Sequence, residues 1–479
     1  MLLRYCKNEI LAGLITSVAI IPEVVGFALV AKFDPISGLY TAFILGIIAA
    51  LFGGRPALVS AAAGSMAVVA VHLSLSHGIA YVLWAGIFAG ILQILFGVFR
   101  LGLWVRMIPQ TAIFGFVNGL AVVIFLSQLQ FFRNEGIAMW VIVALSVLIM
   151  FGFPKISKIV PAGLVAVIVL SLGVHYFGVH TRTIADLGKI SGGLPHFFIP
   201  QIPFTWESVK IIFPYSVILA LVGLIESLLT LSVMDSMQKT RGKPNQECIA
   251  QGAGNMICGF FGAMSGCVMI GQSMINATSG GRGRLSSMIT AVAVLVFVVS
   301  IPDVIGKIPI GVLVGIMFVV AFRTFEWASI SRLRSMKKSD IFVLICVTFI
   351  TIFFDLAIAV IIGVIIAALV FAYENMRIKI EPKDEDHKRI YFVKGPLFFG
   401  SSSYFSDELF DIKNDPNEVV LDFTHARVMD SSGIEAIDRL TKAYLEEGKT
   451  LKLRHLSREC RKALYLSRKH CAYKIERKV

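Results

Sequence analysis

Ile20–Val30 reads I-I-P-E-V-V-G-F-A-L-V, and Leu224–Met234 reads L-I-E-S-L-L-T-L-S-V-M. In each, one carboxylate, Glu23 or Glu226, sits inside an apolar run long enough to cross a bilayer. A charge at that depth costs roughly 2.5 kcal/mol or more even on lenient insertion scales, so it is expected to face a water-filled path or a bound cation. These two positions decide how the rest of the chain is read.

The 479 residues are 56% hydrophobic and only 16% charged, with a mean hydropathy of +0.79, a balance no ordinary soluble domain of this size approaches. The expected class is a polytopic α-helical membrane protein. Apolar runs predict fourteen spans, at 10–30, 36–54, 57–75, 79–99, 107–130, 137–153, 160–178, 210–236, 245–263, 266–279, 285–301, 308–325, 340–355 and 356–376. The first run follows Arg4 and Lys7 directly and carries Pro22 and Glu23, which argues against a cleaved leader. The formal charge of +13 lies mostly in alternate short loops (Arg4/Lys7, Arg55, Arg100/Arg106, Lys155/Lys158, Lys239/Arg241/Lys243, Arg282/Arg284, Arg332 to Lys338). That is the pattern of membrane topology with both termini cytoplasmic, and no nucleic-acid partner is expected. Seven cysteines in no metal-like spacing predict neither a structural metal nor a redox site.

Spacing suggests an internal repeat. Glu23 and Glu226 lie 203 positions apart, Gly64 and Gly266 202, Pro109 and Pro309 200. Seven spans per repeat is odd, so the second repeat enters the membrane inverted, and the short third and tenth spans become half-helices meeting near the midplane. Residues 180–205 read as an external loop. Beyond Arg377 the composition turns charged, with strand-like runs at 390–393, 419–423 and 450–453 and helical periodicity at 432–446 and 457–467, which predicts a small α/β domain at 385–479.

Two half-helix N-termini, each with unpaired N–H groups and about half a positive charge, would make an anion cradle without a basic side chain. Small residues around Ala62–Met66 and Cys267–Ser273 would let an anion reach the backbone, with Ser65, Gln272 and Ser273 as neutral donors; the alternative is that they only permit close helix packing. Pro22 should kink or break the first span beside Glu23, with Phe27 on the same face one turn on. Thr230, four residues after Glu226, shares its helix face, which suits a sodium ion or a shared proton; protonated interhelical hydrogen bonds are the alternative for both acids. His72, His77 and Asp355 read as interfacial or turn residues, Arg282 and Arg284 as cytoplasmic anchors.

The segments P-E-V-V-G-F-A-L-V-A-K-F-D-P-I-S-G-L-Y (22–40), G-G-R-P-A-L-V-S-A-A-A-G-S-M-A (53–67), E-S-L-L-T (226–230), N-Q-E-C-I-A-Q-G-A-G-N (245–255) and G-Q-S-M-I-N (271–276) resemble the sulfate permease (SulP) family of anion transporters. V-V-L-D-F (419–423) with V-M-D-S-S-G-I-E-A (428–436) is similar to the STAS domain these transporters carry. The resemblance implies a seven-plus-seven inverted-repeat fold in residues 1–378, with a core (1–100 and 210–301) moving against a gate (103–178 and 302–378) as an elevator. It implies substrate contacts at Phe27, Ser65, Met66, Gly271, Gln272 and Ser273, and a coupling-cation site at Glu23, Glu226 and Thr230. Two departures stand out: Glu23 replaces a common Gln, and Gln272 an Arg. A cradle with two acids and no fixed cation implies co-binding of H+ or Na+, hence symport. Sulfate ranks first as substrate and bicarbonate second, with an anion channel or a membrane-anchored STAS sensor as alternatives. No catalytic motif suggests an enzyme, and no cofactor beyond the coupling ion is expected. Ser431 and Ser432 fall where STAS-bearing antagonists are phosphorylated, although a Ser after Asp is also an ordinary helix cap. The expected setting is the plasma membrane, with homodimerisation through the tail.

Overall fold

The computed structural model describes residues 2–353 except 104–109, 134, 157–160, 188–192 and 204, and beyond them 362, 365–366, 368–370, 372–374, 376, 378–385, 388–403, 405, 410–458, 460–461 and 474–475. Two compact units divide at residue 364. Pro109, Asp355, Cys471, nearly all of the fourteenth predicted span and most of the helix at 457–467 fall outside the described residues.

In the first unit the helices are α1 (Leu2–Val30), α2 (Pro35–Phe52), α3 (Gly64–His77), α4 (Ile79–Val98), α5 (Gln110–Gln128), α6 (Ile137–Gly152) and α7 (Ala162–Tyr176), followed by the short α8 (Ile184–Leu187). The second series is α9 (Trp206–Gln238), α10 (Pro244–Phe260), α11 (Ile270–Thr278), α12 (Arg284–Ser300), the short α13 (Pro302–Gly306), α14 (Ile310–Thr324), the short α15 (Trp327–Arg332) and α16 (Lys338–Phe353). Seven described helices are long and apolar enough to cross a membrane, while α7 and α12 are shorter apolar helices. Pro22 does not break α1, which runs continuously through it. The expected half-helices are present, but each is introduced by a three-residue strand, β1 (Ser60–Ala62) or β2 (Gly266–Val268). Gly266 therefore lies in β2 and does not match Gly64; Gly64 and Ile270, 206 positions apart, open the two helices.

Packing repeats with the inverted order. α4 lies on α10 and α2 on α12, α1 on α12 and α9 on α4, and α5 lies on α16 and α6 on α14. Small residues set these crossings. A Cβ on Gly90 would meet the Gly252 carbonyl at 2.5 Å and one on Gly252 the Gly90 carbonyl at 2.5 Å, so α4 and α10 touch backbone to backbone. Between α2 and α12, a Cβ on Gly46 would meet the Ala291 Cβ at 3.0 Å, so the small pair sets that crossing. Without a hydrophobic driving force between helices in lipid, such close approach is what holds a bundle together.

The loops are tied by charged caps. Glu9, fully buried, accepts from the N–H groups of Arg282 (2.6 Å), Gly283 (2.8 Å) and Ser286 (3.0 Å) at the start of α12. Arg284 donates to the carbonyls of Ala50 (2.7 Å), Leu51 (3.0 Å) and Gly53 (2.6 Å) at the end of α2. The Arg55 guanidinium pairs with Asp235 and donates to the Met234 carbonyl (2.7 Å) at the end of α9. Each charge meets the helix end of opposite sign. Arg284 is thus a helix cap.

The second unit is a five-stranded sheet in the order β3 (Lys379–Glu385), β4 (Lys388–Leu397), β5 (Glu418–Val428), β6 (Thr450–Arg454), β7 (Lys474–Ile475). β3 pairs antiparallel with β4 and the other pairs are parallel. α17 (Ser431–Glu446) contributes Ile437, Leu440 and Tyr444 to the same core as Val419, Leu421 and Leu453. β3, K-I-E-P-K-D-E, escaped the sequence reading because it carries Pro and almost no apolar residue. Asp430 caps α17, accepting from Gly433 N (3.0 Å) and Phe399 N (2.7 Å). Ser431 and Ser432 are the first two helical residues, exposed and half-buried respectively.

Candidate functional site

β1 and β2 pair antiparallel, Ser60 opposite Val268 and Ala62 opposite Gly266, with Ala61 facing Cys267 at the centre. Exchanging the two repeats exchanges the strands about that central pair. Each strand runs into a helix N-terminus, so a ribbon only about 10 Å long separates the two N-termini, which leave its opposite ends in opposite directions. The N–H groups of Gly64, Ser65 and Met66, and of Ile270, Gly271 and Gln272, lie in first turns and have no helical acceptor. The ladders begin with Ala67 N on Ala63 O (2.9 Å) and Ser273 N on Met269 O (3.1 Å).

Strand edges at membrane depth need partners, since no water reaches them. Side chains supply these partners. Asn255, on α10, donates to the Gly266 carbonyl (3.0 Å) and accepts from its N–H (2.8 Å), as a neighbouring strand would, and also donates to Gln93 (2.9 Å). Ser227 accepts from Val268 N (3.1 Å), Thr230 donates to Val268 O (3.3 Å), and Ser273 accepts from Val59 N (3.0 Å). Gln251 donates to Ser60 Oγ and to Glu247 Oε1, both at 2.8 Å.

Against this frame the sequence-selected residues separate into two groups. Glu226 accepts from Ser65 Oγ and, at 3.2 Å, from Cys267 Sγ, so its carboxylate joins one half-helix to the opposite strand. Glu23 accepts from the Gln272 amide. Glu23 and Gln272, the two residues read from the sequence as departures, are therefore hydrogen-bond partners. Both acids are half-buried, whereas Ser65 and Gln272 are buried. The other group serves the scaffold. Thr230 donates to the Glu226 backbone carbonyl (2.8 Å) rather than to its carboxylate. Ser273 turns to the loop before β1, and Met66, fully buried, packs against the Gly223 position of α9, leaving only its N–H for a ligand.

The cradle is covered on one side. A Cβ on Gly64 would strike the Phe27 ring (2.7 Å) and Ile124 of α5 (2.9 Å), whereas at Gly271 it would meet nothing within 4 Å. α5, α7 and α14 pack against α1 and α3; no comparably extensive packing of these helices on α9 or α11 occurs among the described residues. Away from the cradle, His72 Nδ1 lies 2.6 Å from the Tyr215 hydroxyl and the His77 ring packs tilted against Tyr81.

Sequence reading missed Asn255, Gln93, Gln251, Ser227 and Cys267. Glu247, Gln251 and Asn255 stand at i, i+4 and i+8 on α10, a buried polar stripe whose period was legible. Cys267 had no such signal.

The fold and site define an inverted-repeat helical membrane protein with two half-helix ends converging on one polar centre, followed by an α/β tail. The sulfate permease family model matches residues 6–136 and 132–348, and the STAS domain model residues 378–479. The chain belongs to the sulfate permease family and carries a C-terminal STAS domain. It is 41% identical, over 94% of its length and 95% of the relative's, to YbaR of Bacillus subtilis, which is named as a candidate sulfate transporter. It is 28% identical to the bicarbonate transporter BicA of a Picosynechococcus strain, over 92% of this chain and 88% of the relative's. The solved transmembrane domain of a cyanobacterial BicA superposes with a TM-score of 0.69 at 28% identity, covering 75% of this chain and 98% of that one. SLC26A9 shares the overall fold, with a TM-score of 0.88 at 16% identity over 98% of this chain and 87% of its own.

Proposed function

We propose that the chain is a secondary active transporter of a small inorganic anion, sulfate first, seated between the N-termini of α3 and α11. The observation that carries this reading is the ribbon-held pair of N-termini, which offers unpaired N–H groups and two positive helix ends with no basic side chain among them. Sulfate is supported by the naming of the Bacillus subtilis relatives, bicarbonate by the BicA relatives. Two carboxylates beside the seat, Glu23 and Glu226, would repel an incoming anion, so H+ or Na+ enters with it.

The core, α1 to α4 with α9 to α12, moves against the gate as an elevator. One-sided packing of the gate on α1 and α3, with the α11 side open, supports a state facing the side on which α11 ends. Loop charges make that side the cytoplasm, with both termini there, in the plasma membrane. The tail supports a homodimer, checked by comparing the oligomeric state with and without residues 365–479.

The deciding experiment is uptake of radiolabelled sulfate and bicarbonate into proteoliposomes under separately imposed pH and sodium gradients. Saturable uptake driven by one gradient and lost in Glu226→Gln is expected. Transport indifferent to both gradients would sink the coupling, and ohmic conductance would make the protein a channel.

A further inference from the structure

The two acids beside the cradle do more than add negative charge: each occupies a donor that the anion would otherwise use. Gln272 stands in the first turn of α11, where its own N–H is one of the unpaired groups facing the seat, yet its side-chain amide is bound to Glu23 of α1. Ser65, in the first turn of α3, stands in the same relation to Glu226 of α9. The pairs cross the repeats, so each half-helix surrenders its neutral side-chain donor to an acid from the opposite half of the chain.

We infer that Gln272 is a switched donor: ionised Glu23 holds its amide off the anion seat, and neutral Glu23 releases it. The inference rests on the transport reading and supplies its coupling step. A hydrogen bond to a carboxylate is about twice as strong as one to a neutral acceptor, so while Glu23 is charged the amide gains nothing by leaving it for another charged acceptor. Once Glu23 takes up a proton, the stronger acceptor is the anion, and the amide turns to it about its terminal torsions. The proton goes to the Glu23 carboxyl and no covalent bond is made or broken elsewhere.

The surroundings leave Glu23 free to act this way. α2, α5 and α11 carry no acidic or basic side chain in their described spans. On α3, His72 is engaged with Tyr215 and His77 with Ser76; His175 is in the last turn of α7; Arg284 of α12 caps α2. On α14 the charged side chain is Arg323, exposed in the last turn, where it donates to the Met150 carbonyl at 3.3 Å. Gly271 next to Gln272 has nothing within 4 Å of where a side chain would start, which leaves room for the amide to turn.

The test is binding of radiolabelled sulfate to the purified full chain at pH 5.0 and 8.0, a range in which sulfate stays a dianion. A released donor to an anion is worth about tenfold in affinity or more. Wild type should therefore bind about tenfold tighter at pH 5.0, and Glu23→Gln, permanently neutral, should bind tightly at both. Gln272→Met should bind more weakly than wild type at pH 5.0 and keep only the smaller part of the ratio that the charge of the acids supplies by repulsion, because it has no donor to release. A Gln272→Met protein that keeps the wild-type pH ratio, or binds tightly at both values, overturns the donor exchange, as does a wild type with no ratio. Gln272→Asn, a shorter amide, should restore part of the ratio, which separates a lost donor from a damaged fold. If wild type neither binds nor carries sulfate or bicarbonate, the transport reading itself fails; if it does and only the ratio test fails, the donor exchange alone is wrong.

Discussion

Replacing Asn255 with Ala tests the frame on which the whole site hangs. Its amide makes three hydrogen bonds, to the carbonyl and N–H of Gly266 and to Gln93, and it is fully buried. Alanine leaves two peptide groups of β2 without partners at a depth where water cannot reach them. At about 1–3 kcal/mol for each orphaned group, the loss could reach roughly 6 kcal/mol. Membrane double-mutant cycles average nearer 0.6 kcal/mol per side-chain bond, which for three bonds sets a floor of roughly 2 kcal/mol. Reversible unfolding in mixed micelles should register a loss within those bounds, together with weaker sulfate binding, because β2 delivers α11 to the seat. Asn255→Asp sharpens the test. It keeps an acceptor for Gly266 N but sets a second acceptor against the Gly266 and Gln93 oxygens, so it should be as unstable as the Ala protein near neutrality and recover on acidification, when a protonated carboxyl donates again. An Ala variant within about 0.5 kcal/mol of wild type would refute the role given to Asn255.

Three further outcomes are expected. Glu9→Ala should cost about 2–3 kcal/mol by uncapping three N–H groups of the α12 start, and Glu9→Gln clearly less since it retains one acceptor oxygen; equal losses would count against the cap. In Gly38→Ala the new Cβ would press on the Val24 backbone of α1, beside Glu23, so stability should fall by about 1–3 kcal/mol with an accompanying loss of sulfate affinity, and a silent substitution would show that α1 and α2 part freely there. In the tail, burial opposes the charge on Asp422, but hydrogen bonds from Thr424, Arg454 and His455 outweigh it and hold the carboxyl at about 2. Because that value is depressed, the stabilisation is present above about pH 4 and is lost as pH falls toward 2, by roughly 2 kcal/mol. Acid titration of the isolated tail should show this step in wild type and not in Asp422→Asn.

Much of this protein follows from the order of residue types alone. Apolar runs of membrane length have one low-energy solution in lipid, the helix, so the spans and the membrane class needed no tertiary information. A carboxylate inside such a run is costly wherever the helix lies, and Glu23 and Glu226 could be singled out on that ground before any contact was known. The alternation of the tail's strands and its amphipathic α17 were equally local. What the sequence could not settle were relations between segments far apart in it. Three-residue strands are too short to show a period, and without the pairing of Ser60 with Val268 and Ala62 with Gly266 the repeat was matched at Gly266 when the helix opens at Ile270. Nor could sequence say that Thr230 and Ser273 would spend their hydroxyls on strand edges, that Asn255 would stand in for a strand, or that Glu23 and Gln272, 249 positions apart, would meet. Spans and buried charges are set by how each segment meets the bilayer, which composition fixes; the partners of a polar group are set by which helices cross and where, and only the packed bundle decides that.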